Sequence, residues 1–275
     1  MLPYLLKGGF DVMLIGWDLE YNGMKLSNYR SQGYNFILGT FESVDFKEFD
    51  MGRTKDIDTI DVGNGIQRII KNKYKDVIED TGQILHCDAS KFSNDEYRML
   101  EKWLNVKTYT PLFLYPETEK PPFYYNCITT NIMPIRYGVS IYGISFSIRC
   151  DSPFLWEDFS STYTINNSNT IIFNNSSDDM DALFPIINFS ANNTCDLIIR
   201  NLTTGIEWKV EKIMKDEIVT FDATTSVFNS NIPNRNFYNF YNKKLLQFCN
   251  GKNELEISGN GIITIKGRFS RKAGV

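Results

Sequence analysis

Histidine and paired cysteines are nearly absent from this 275-residue chain. It has one histidine, His86, and five cysteines that are odd in number and widely spaced. No Cys-X-X-Cys motif and no Cys/His cluster occurs, so the sequence contains neither a zinc-ligand spacing nor a disulfide framework. We therefore expect reduced cysteines in a bacterial cytoplasm. The cysteines are Cys87, Cys127, Cys150, Cys195 and Cys249.

Nucleophilic catalysis would have to use that single histidine. His86 and Cys87 are neighbours in a predicted strand at 82–88, and adjacent side chains of a strand point to opposite faces, so a Cys/His dyad is not expected. A Ser-His-Asp triad would need the same histidine. The chain also has no Gly-X-Ser-X-Gly elbow to present a nucleophilic serine.

The acidic residues do not form a recognisable catalytic or metal-binding motif. Asp178, Asp179 and Asp181 lack the glycine and the distal glutamate of an EF-hand loop, so a solvated loop is predicted there. Glu254 and Glu256 alternate with apolar residues and are predicted to face solvent. No nucleotide-binding glycine motif occurs. The sequence therefore predicts no catalytic residue, no cofactor and no metal, with a wall-degrading hydrolase built on carboxylates adjacent only in space as a remaining alternative.

Charge and hydropathy lack the marks of a nucleic-acid-binding or membrane protein. Lys plus Arg number 29 and Asp plus Glu number 33, a net charge of -4 that divides evenly between the two halves. No basic face for nucleic acid is expected, and the late cluster Lys266, Arg268, Arg271 and Lys272 is interpreted as a solvated end. No run approaches the roughly 18 apolar residues of a membrane span. Charged residues and glycines at 7–11 interrupt the apolar run that a signal peptide needs.

Short alternating segments bounded by Gly, Asn, Asp and Ser dominate what the sequence does contain. Aromatic residues make up 14% of the chain, and they favour half-buried positions in sheets, so the predicted fold is mainly β. No strand is predicted in the Ser- and Asn-rich stretch 160–181. The predicted strands include Leu14–Tyr21, Asn35–Phe41, Pro111–Tyr115, Phe123–Ile128, Val139–Cys150, Phe184–Phe189, Glu217–Asp222 and Lys244–Phe248.

Three segments have more detailed predictions. Cys195–Val210 is predicted to form a hairpin whose turn lies at Asn201–Gly205. In 251–267 the alternation stops at Gly259-Asn260-Gly261 and then resumes, which predicts a second hairpin with its turn at these residues. On Val139–Cys150, one face is predicted to be buried, formed by Tyr142, Ile144, Phe146, Ile148 and Cys150.

One helix is predicted at 93–105. Ser93 is a good N-cap, and Glu96 three residues later completes a capping box. Met99, Leu100, Trp103 and Leu104 recur at helical spacing and form one apolar stripe. We interpret the stripe as packing on a sheet rather than binding a partner, because exposed apolar stripes are rare in soluble monomers.

The composition changes near Asp151–Pro153, where we place a domain boundary. The predicted domains are 1–152, with 1–12 as an extension ahead of it, and 153–275, a β-sandwich. An alternative function is a carbohydrate-binding adhesion module that contacts a host cell wall. In it, sugar rings would stack on Trp156, Trp208 and the aromatic loop Phe237–Tyr241, although such aromatics more often belong to a core.

The order of these features resembles the distal tail proteins (Dit) of long-tailed, non-contractile bacteriophages. The resemblance extends over nearly the whole chain from about Met13, and the most unusual difference is Cys249-Asn-Gly in place of the usual Pro-Gly before the last segment. The motifs that carry it are Trp17–Gly23, Leu26–Tyr29, Met51–Thr54, Leu100–Leu104, Phe123–Cys127, Phe146–Phe154, Phe184–Ile187, Ile218–Asp222 and Leu246–Ile265.

The resemblance implies a structural protein rather than an enzyme. The first domain would be a β-sandwich or barrel-like ring domain with one flanking helix, and six copies would form a ring that continues the tail tube and lets DNA pass. The second domain would be a galectin-like β-sandwich, a platform for a tail-associated lysin, a tail-tip hub protein or receptor-binding proteins. The protein would be made in the host cytoplasm and located at the distal end of the tail in the virion, without membrane insertion.

Overall fold

The computed structural model describes residues 18–39, 55–74, 77–116 and 118–272. Contacts divide the chain into two compact units, and the division falls between Leu155 and Trp156. The predicted extension at 1–12, the segments 14–17 and 40–41 of two predicted strands, and the motif Met51–Thr54 lie outside the described residues.

The first unit is built on one antiparallel sheet of seven strands, with order β2-β1-β7-β8-β9-β6-β3. Two further strands, β4 and β5, pair only with each other in a separate two-stranded sheet. A 3₁₀ helix covers Leu26–Gln32 and one α-helix, α1, covers Asn94–Leu104. The strands are β1 Asp18–Tyr21, β2 Met24–Lys25, β3 Phe36–Leu38, β4 Lys55–Asp61, β5 Gln67–Tyr74, β6 Glu79–His86, β7 Thr110–Tyr115, β8 Tyr125–Tyr137 and β9 Ser140–Cys150.

Helix α1 begins and packs as its sequence predicts. The Ser93 hydroxyl accepts from the Glu96 backbone N–H at 3.2 Å, and the Glu96 carboxylate accepts from the Ser93 N–H at 2.6 Å, so the capping box is confirmed. Leu100 and Leu104 are fully buried, and the Trp103 indole N–H donates to the Tyr21 carbonyl at 2.8 Å. The apolar stripe therefore packs into the core of the first unit.

The predicted buried face of β9 is confirmed for four of its five residues. Ile144, Phe146, Ile148 and Cys150 are at most 1% exposed, whereas Tyr142 is half-buried. These side chains join those of α1, β1 and β3 in one core cluster. The core of the first unit thus lies between the main sheet and the helix.

The second unit is also β, with strand order β13-β12-β16-β11-β14-β15 and β10 paired with β16. The predicted β12–β13 hairpin is confirmed, with Gly205 at a φ of 73° in its turn. The strands are β10 Leu155–Asn175, β11 Ile186–Ala191, β12 Cys195–Asn201, β13 Ile206–Ile213, β14 Ile218–Asp222, β15 Val227–Ser230 and β16 Gly251–Arg271.

The predicted hairpin at 259–261 is wrong, because β16 runs through these residues without turning. Its first part pairs with β12 and its second part with β11, both antiparallel. A Cβ on Gly261 would lie 2.1 Å from the Ser190 carbonyl oxygen. Gly261 therefore allows the neighbouring backbone of β11 to approach closely. Close approach, like a turn, is a known reason for a glycine within a strand sequence.

Two further predictions in this unit are corrected. The polar stretch after the domain boundary forms most of β10, in which Ile165, Ile171 and Phe173 are buried while most of the intervening polar residues face outward. Conversely, the predicted strand Lys244–Phe248 does not form. Only Phe248 takes part in an isolated bridge, with Leu183.

Candidate interaction surfaces

His86, the candidate catalytic residue of the sequence, packs against aromatic side chains. The His86 ring contacts the rings of Phe36 and Phe92, with centroids 5.1 Å and 4.6 Å away, and its Nε2 is 3.3 Å from Glu96 Oε1. Cys87, the first residue after β6, is exposed. Within the described ranges, no three His, Cys, Asp or Glu side chains converge as metal ligands, and no helix is long and apolar enough to cross a membrane.

Trp208 is 1% exposed, so its predicted sugar contact is corrected. Its ring lies 4.8 Å from that of Phe221 and 6.2 Å from that of Phe228, between centroids. Phe237, from the predicted aromatic loop, is also buried and stacks on Phe228 at 4.9 Å. These aromatics are therefore the core of the second unit and offer no ring face to a ligand.

Trp156 is half-buried, and the Arg268 guanidinium lies 4.5 Å from its ring centroid. One face of this ring is thus occupied by a cation from the same chain. Trp156 and Trp208 do not form a joint sugar platform, since Trp208 lies inside the core. A sugar contact at Trp156 alone stays a prediction.

Members of the charged clusters singled out in the sequence form ion pairs within the second unit. Arg271 lies 2.5 Å from the Glu157 carboxylate and 3.5 Å from that of Asp178. Arg200 bridges Glu207 and Glu256 on the neighbouring strands, at 2.6 Å and 3.0 Å. Arg271 is therefore engaged by carboxylates of its own unit, which argues against its use in a phosphate track.

The β4–β5 hairpin carries a group of exposed aliphatic side chains. Both strands are exposed over nearly their whole length, in contrast to the alternating burial of the other long strands. Six aliphatic side chains on it are each about half exposed or more. They are Ile57 at 51%, Ile60 at 52%, Val62 at 49%, Ile66 at 57%, Ile69 at 61% and Ile70 at 67%.

Register places charged side chains on the opposite face of the hairpin from Ile57. Lys71 lies across from Asp58, and its ammonium is 2.5 Å from the Asp56 carboxylate and 3.9 Å from that of Asp58. The hydrogen bond that the Lys71 ammonium donates to the Asp56 carboxylate raises the pKa of Lys71, which stays charged at neutral pH. Ile57 and Thr59 point to the other side, as alternate residues of a strand do.

The two outer edges of the hairpin have no strand partner among the described residues. β4 pairs with β5 and with no other strand, and the converse holds for β5. A bulge between Asp58 and Thr59 shifts their register. Free edges that carry aliphatic side chains favour pairing with another chain, and natural proteins usually blunt them with charge, bulges or a cover.

The sequence signal for this hairpin is visible in retrospect. In the segment Val62–Gly65, Asn64 and Gly65 have the positive φ values, 56° and 74°, of a tight turn. On either side, isoleucines alternate with Asp, Lys and Arg, as in a strand pair. That both faces are exposed depends on which described residues pack nearby, and local patterning does not encode this.

Two protein families each match one part of the chain, and together they cover nearly its whole length. A family described as "Phage tail protein N-terminal domain" matches residues 16–152, and one described as "Phage tail C-terminal domain" matches residues 154–267. No curated protein sequence matches the chain significantly.

Solved phage structures share the fold. The Dit protein (gp 19.1) of phage SPP1, described as a paradigm of the hub adsorption apparatus in phages that infect Gram-positive bacteria, aligns at a TM-score of 0.61 and 12% identity, over 92% of this chain and 98% of that one. A chain of the phage P2 baseplate with Ca aligns at a TM-score of 0.48 and 12% identity, over 88% and 92%. A chain of the phage p2 baseplate with Sr aligns at 0.47 and 12%, over 86% and 91%.

The family matches cover both units, and the fold similarity extends over both as well. The resemblance to distal tail proteins that the motif order suggests is thereby confirmed. This chain belongs to the phage tail proteins, with an N-terminal and a C-terminal domain of that family and the fold of a Dit hub protein.

Proposed function

We propose that this protein is the structural hub at the distal end of a phage tail. Copies of the chain form a closed ring, hexameric in our proposal, that joins the tail tube to the tail-tip or baseplate proteins and leaves a channel for DNA. The first unit supplies the ring contacts. The second unit is the platform on which a tail-associated lysin, a tail-tip hub protein or receptor-binding proteins dock. The hub works by binding its neighbours in the tail and catalyses no reaction.

The observation that carries this proposal is the exposed β4–β5 hairpin. A soluble monomer rarely keeps a contiguous aliphatic surface in water, because covering it gains roughly 25 cal/mol per Å² of apolar area. A hairpin with two free edges offers backbone hydrogen bonds in addition to that apolar surface. A surface of this kind suits a subunit that is completed by its neighbour.

Ring geometry agrees with the chemistry of the hairpin. A closed ring needs a heterologous contact, in which one surface of a copy meets a different surface of the next. By register, Ile57 and Ile69 share one face of the hairpin, whereas Ile60 lies on the face that holds the Lys71 ion pairs. An arm of this kind can lie on a neighbouring copy with the Ile57 face covered and the ion-paired face in solvent.

The test is the oligomeric state of the full-length protein and of a hairpin variant. We expect native mass spectrometry of the wild type to show one cyclic oligomer at micromolar concentration. Replacing Ile69 and Ile70 by serine removes two of the most exposed aliphatic side chains, each worth about 1–2 kcal/mol when covered. The double variant should therefore dissociate at concentrations at least about tenfold higher than the wild type.

A matched control separates this effect from a general loss of surface hydrophobicity. Ile172, on β10 in the second unit, is 53% exposed, close to the exposure of Ile60. Ile172→Ser should leave the oligomer intact. A wild-type protein that stays strictly monomeric at high concentration would contradict the proposal, and so would a hairpin variant that assembles like the wild type.

A further inference from the structure

Two buried cysteines of the first unit lie directly opposite each other on neighbouring strands. Cys127 on β8 is in register with Cys150 on β9, and they are 0% and 1% exposed. Both belong to the same core cluster, so their side chains point to the same face of the sheet. Both are free thiols in this structure.

The backbone hydrogen bonds show which kind of pair this is. The Cys150 N–H donates to the Ile78 carbonyl at 2.8 Å, away from β8, and the next residue, Asp151, donates to the Asn126 carbonyl at 3.0 Å. In an antiparallel ladder, hydrogen-bonded and non-hydrogen-bonded pairs alternate, so Cys127 and Cys150 form a non-hydrogen-bonded pair. Such pairs have Cα atoms about 4.5 Å apart, within the range that a disulfide spans.

A hydrogen bond with the Cys127 thiol and the burial of the site raise the pKa of Cys150 well above its ordinary value. Little Cys150 thiolate is therefore present at neutral pH, so thiol exchange through this sulfur is slow. In reducing surroundings the pair stays as two thiols.

We propose that Cys127 and Cys150 are a built-in disulfide site, which closes when the folded protein passes from a reducing to an oxidising environment. In the reaction, a local opening at the end of the β8–β9 pair lets one cysteine attack a small-molecule disulfide and form a mixed disulfide. The second cysteine then displaces the remaining small thiol. One S–S bond forms between Cys127 Sγ and Cys150 Sγ, and two electrons and two protons pass to the small molecule, which leaves as two thiols.

The closed bond covalently fastens the open end of the β8–β9 hairpin. β8 and β9 are central strands of the main sheet, so a link between them restrains the unfolded chain as well as the sheet. The inference is independent of the ring, since it concerns contacts within one copy. A particle released from its host would gain stability in this way without any new subunit contact.

The experiment uses the full-length protein, fully reduced and then freed of reductant. The folded protein is incubated with oxidised glutathione for several days, alkylated under denaturing conditions, and analysed by peptide mass mapping. We expect a peptide that links Cys127 to Cys150, and a melting temperature about 5–10 °C higher than that of the reduced protein. A reducing agent should reverse both changes.

Exposed Cys87 serves as the internal control, because it reports whether the oxidant reacts. Cys195→Ser should still form the link, whereas Cys127→Ala should lose both the link and the gain in melting temperature. Glutathione on Cys87 together with alkylated, unlinked Cys127 and Cys150 would overturn the proposal. Because wild-type protein is compared with itself in two redox states, the result does not depend on whether a variant folds.

Discussion

β16 and the β4–β5 hairpin differ in how far the chain itself covers their aliphatic side chains. In β16, Leu255, Ile257, Ile263 and Ile265 are all fully buried, and strands pair along it. In the hairpin, the isoleucines are about half exposed or more, and among the described strands β4 and β5 pair only with each other. Alternating patterns therefore predict strands in both places, while the burial of those strands depends on neighbours.

The difference also separates two sources of stability. β16 stabilises the folded single chain, because burying each large aliphatic side chain contributes roughly 1.5–3 kcal/mol. The hairpin can gain the corresponding amount only when another molecule covers it. Substitutions in the second unit should therefore change the free energy of unfolding, and those in the hairpin should change assembly.

Trp208→Ala should have the largest effect on stability. The ring packs in the aromatic cluster under the sheet, and its removal leaves a cavity, so we expect a loss of about 3–5 kcal/mol in the free energy of unfolding. Chemical denaturation measures this loss. Trp208→Phe is the matched variant and should cost less, because the indole N–H is buried without an acceptor among the described residues. An unchanged midpoint for Trp208→Ala would mean that the ring is not in the core.

Gly261→Ala should have the next largest effect. The new methyl group would meet the Ser190 carbonyl oxygen at 2.1 Å, so β11 and β16 must move apart, at a cost of about 1–3 kcal/mol. Asn260→Ala, one residue away, should change the midpoint of thermal unfolding little. If Asn260→Ala were the more harmful of the two, a turn at 259–261 would be the better description.

Ser93→Ala tests the first unit apart from its hairpin. The hydroxyl caps α1, whose apolar stripe lies in the core, so we expect a loss of about 1 kcal/mol. Urea denaturation followed by tryptophan fluorescence would detect it, since Trp103 lies in the last turn of the helix. Ser93→Asp should restore most of the loss, because aspartate is an equally good cap. A Ser93→Asp variant as unstable as Ser93→Ala would exclude the cap as the cause.

Ile57→Ser should have the smallest effect on the stability of the monomer. The side chain is 51% exposed, and surface substitutions usually stay within about 0.5 kcal/mol. The same variant should nevertheless weaken self-association in sedimentation experiments. A large drop in monomer stability without any change in association would reverse the comparison between the hairpin and β16.

Local signals in the sequence predicted much of the fold. The capping box at Ser93, the alternation of β9 and the β12–β13 hairpin depend on residues close together in the chain, and all three are confirmed. The Gly-rich segment at 259–261 was predicted wrongly, since glycine serves both turns and close backbone contacts, and only the position of Ser190 distinguishes them. The polar residues that line β10 concealed a strand whose few apolar residues are enough to anchor it.

The surfaces were harder to predict than the strands. A tryptophan such as Trp208 suits a ligand contact and a core position equally well, and burial by distant strands decides between the two roles. The pairing of Cys127 with Cys150 depends on the register of two strands and is not visible as a spacing motif. The exposure of the hairpin likewise depends on long-range pairing, because no other strand in the described part of the chain pairs with it.

Hydrogen–deuterium exchange of the hairpin amides tests the central claim most directly. Exchange is measured in dilute protein and in the assembled oligomer, with β16 as the reference within the same chain. Our account predicts that amides at 55–74 become markedly more protected on assembly, while those of β16 are equally protected in both states. Hairpin amides that exchange at the same rate in the two states would show that no neighbouring copy covers them and would contradict the account.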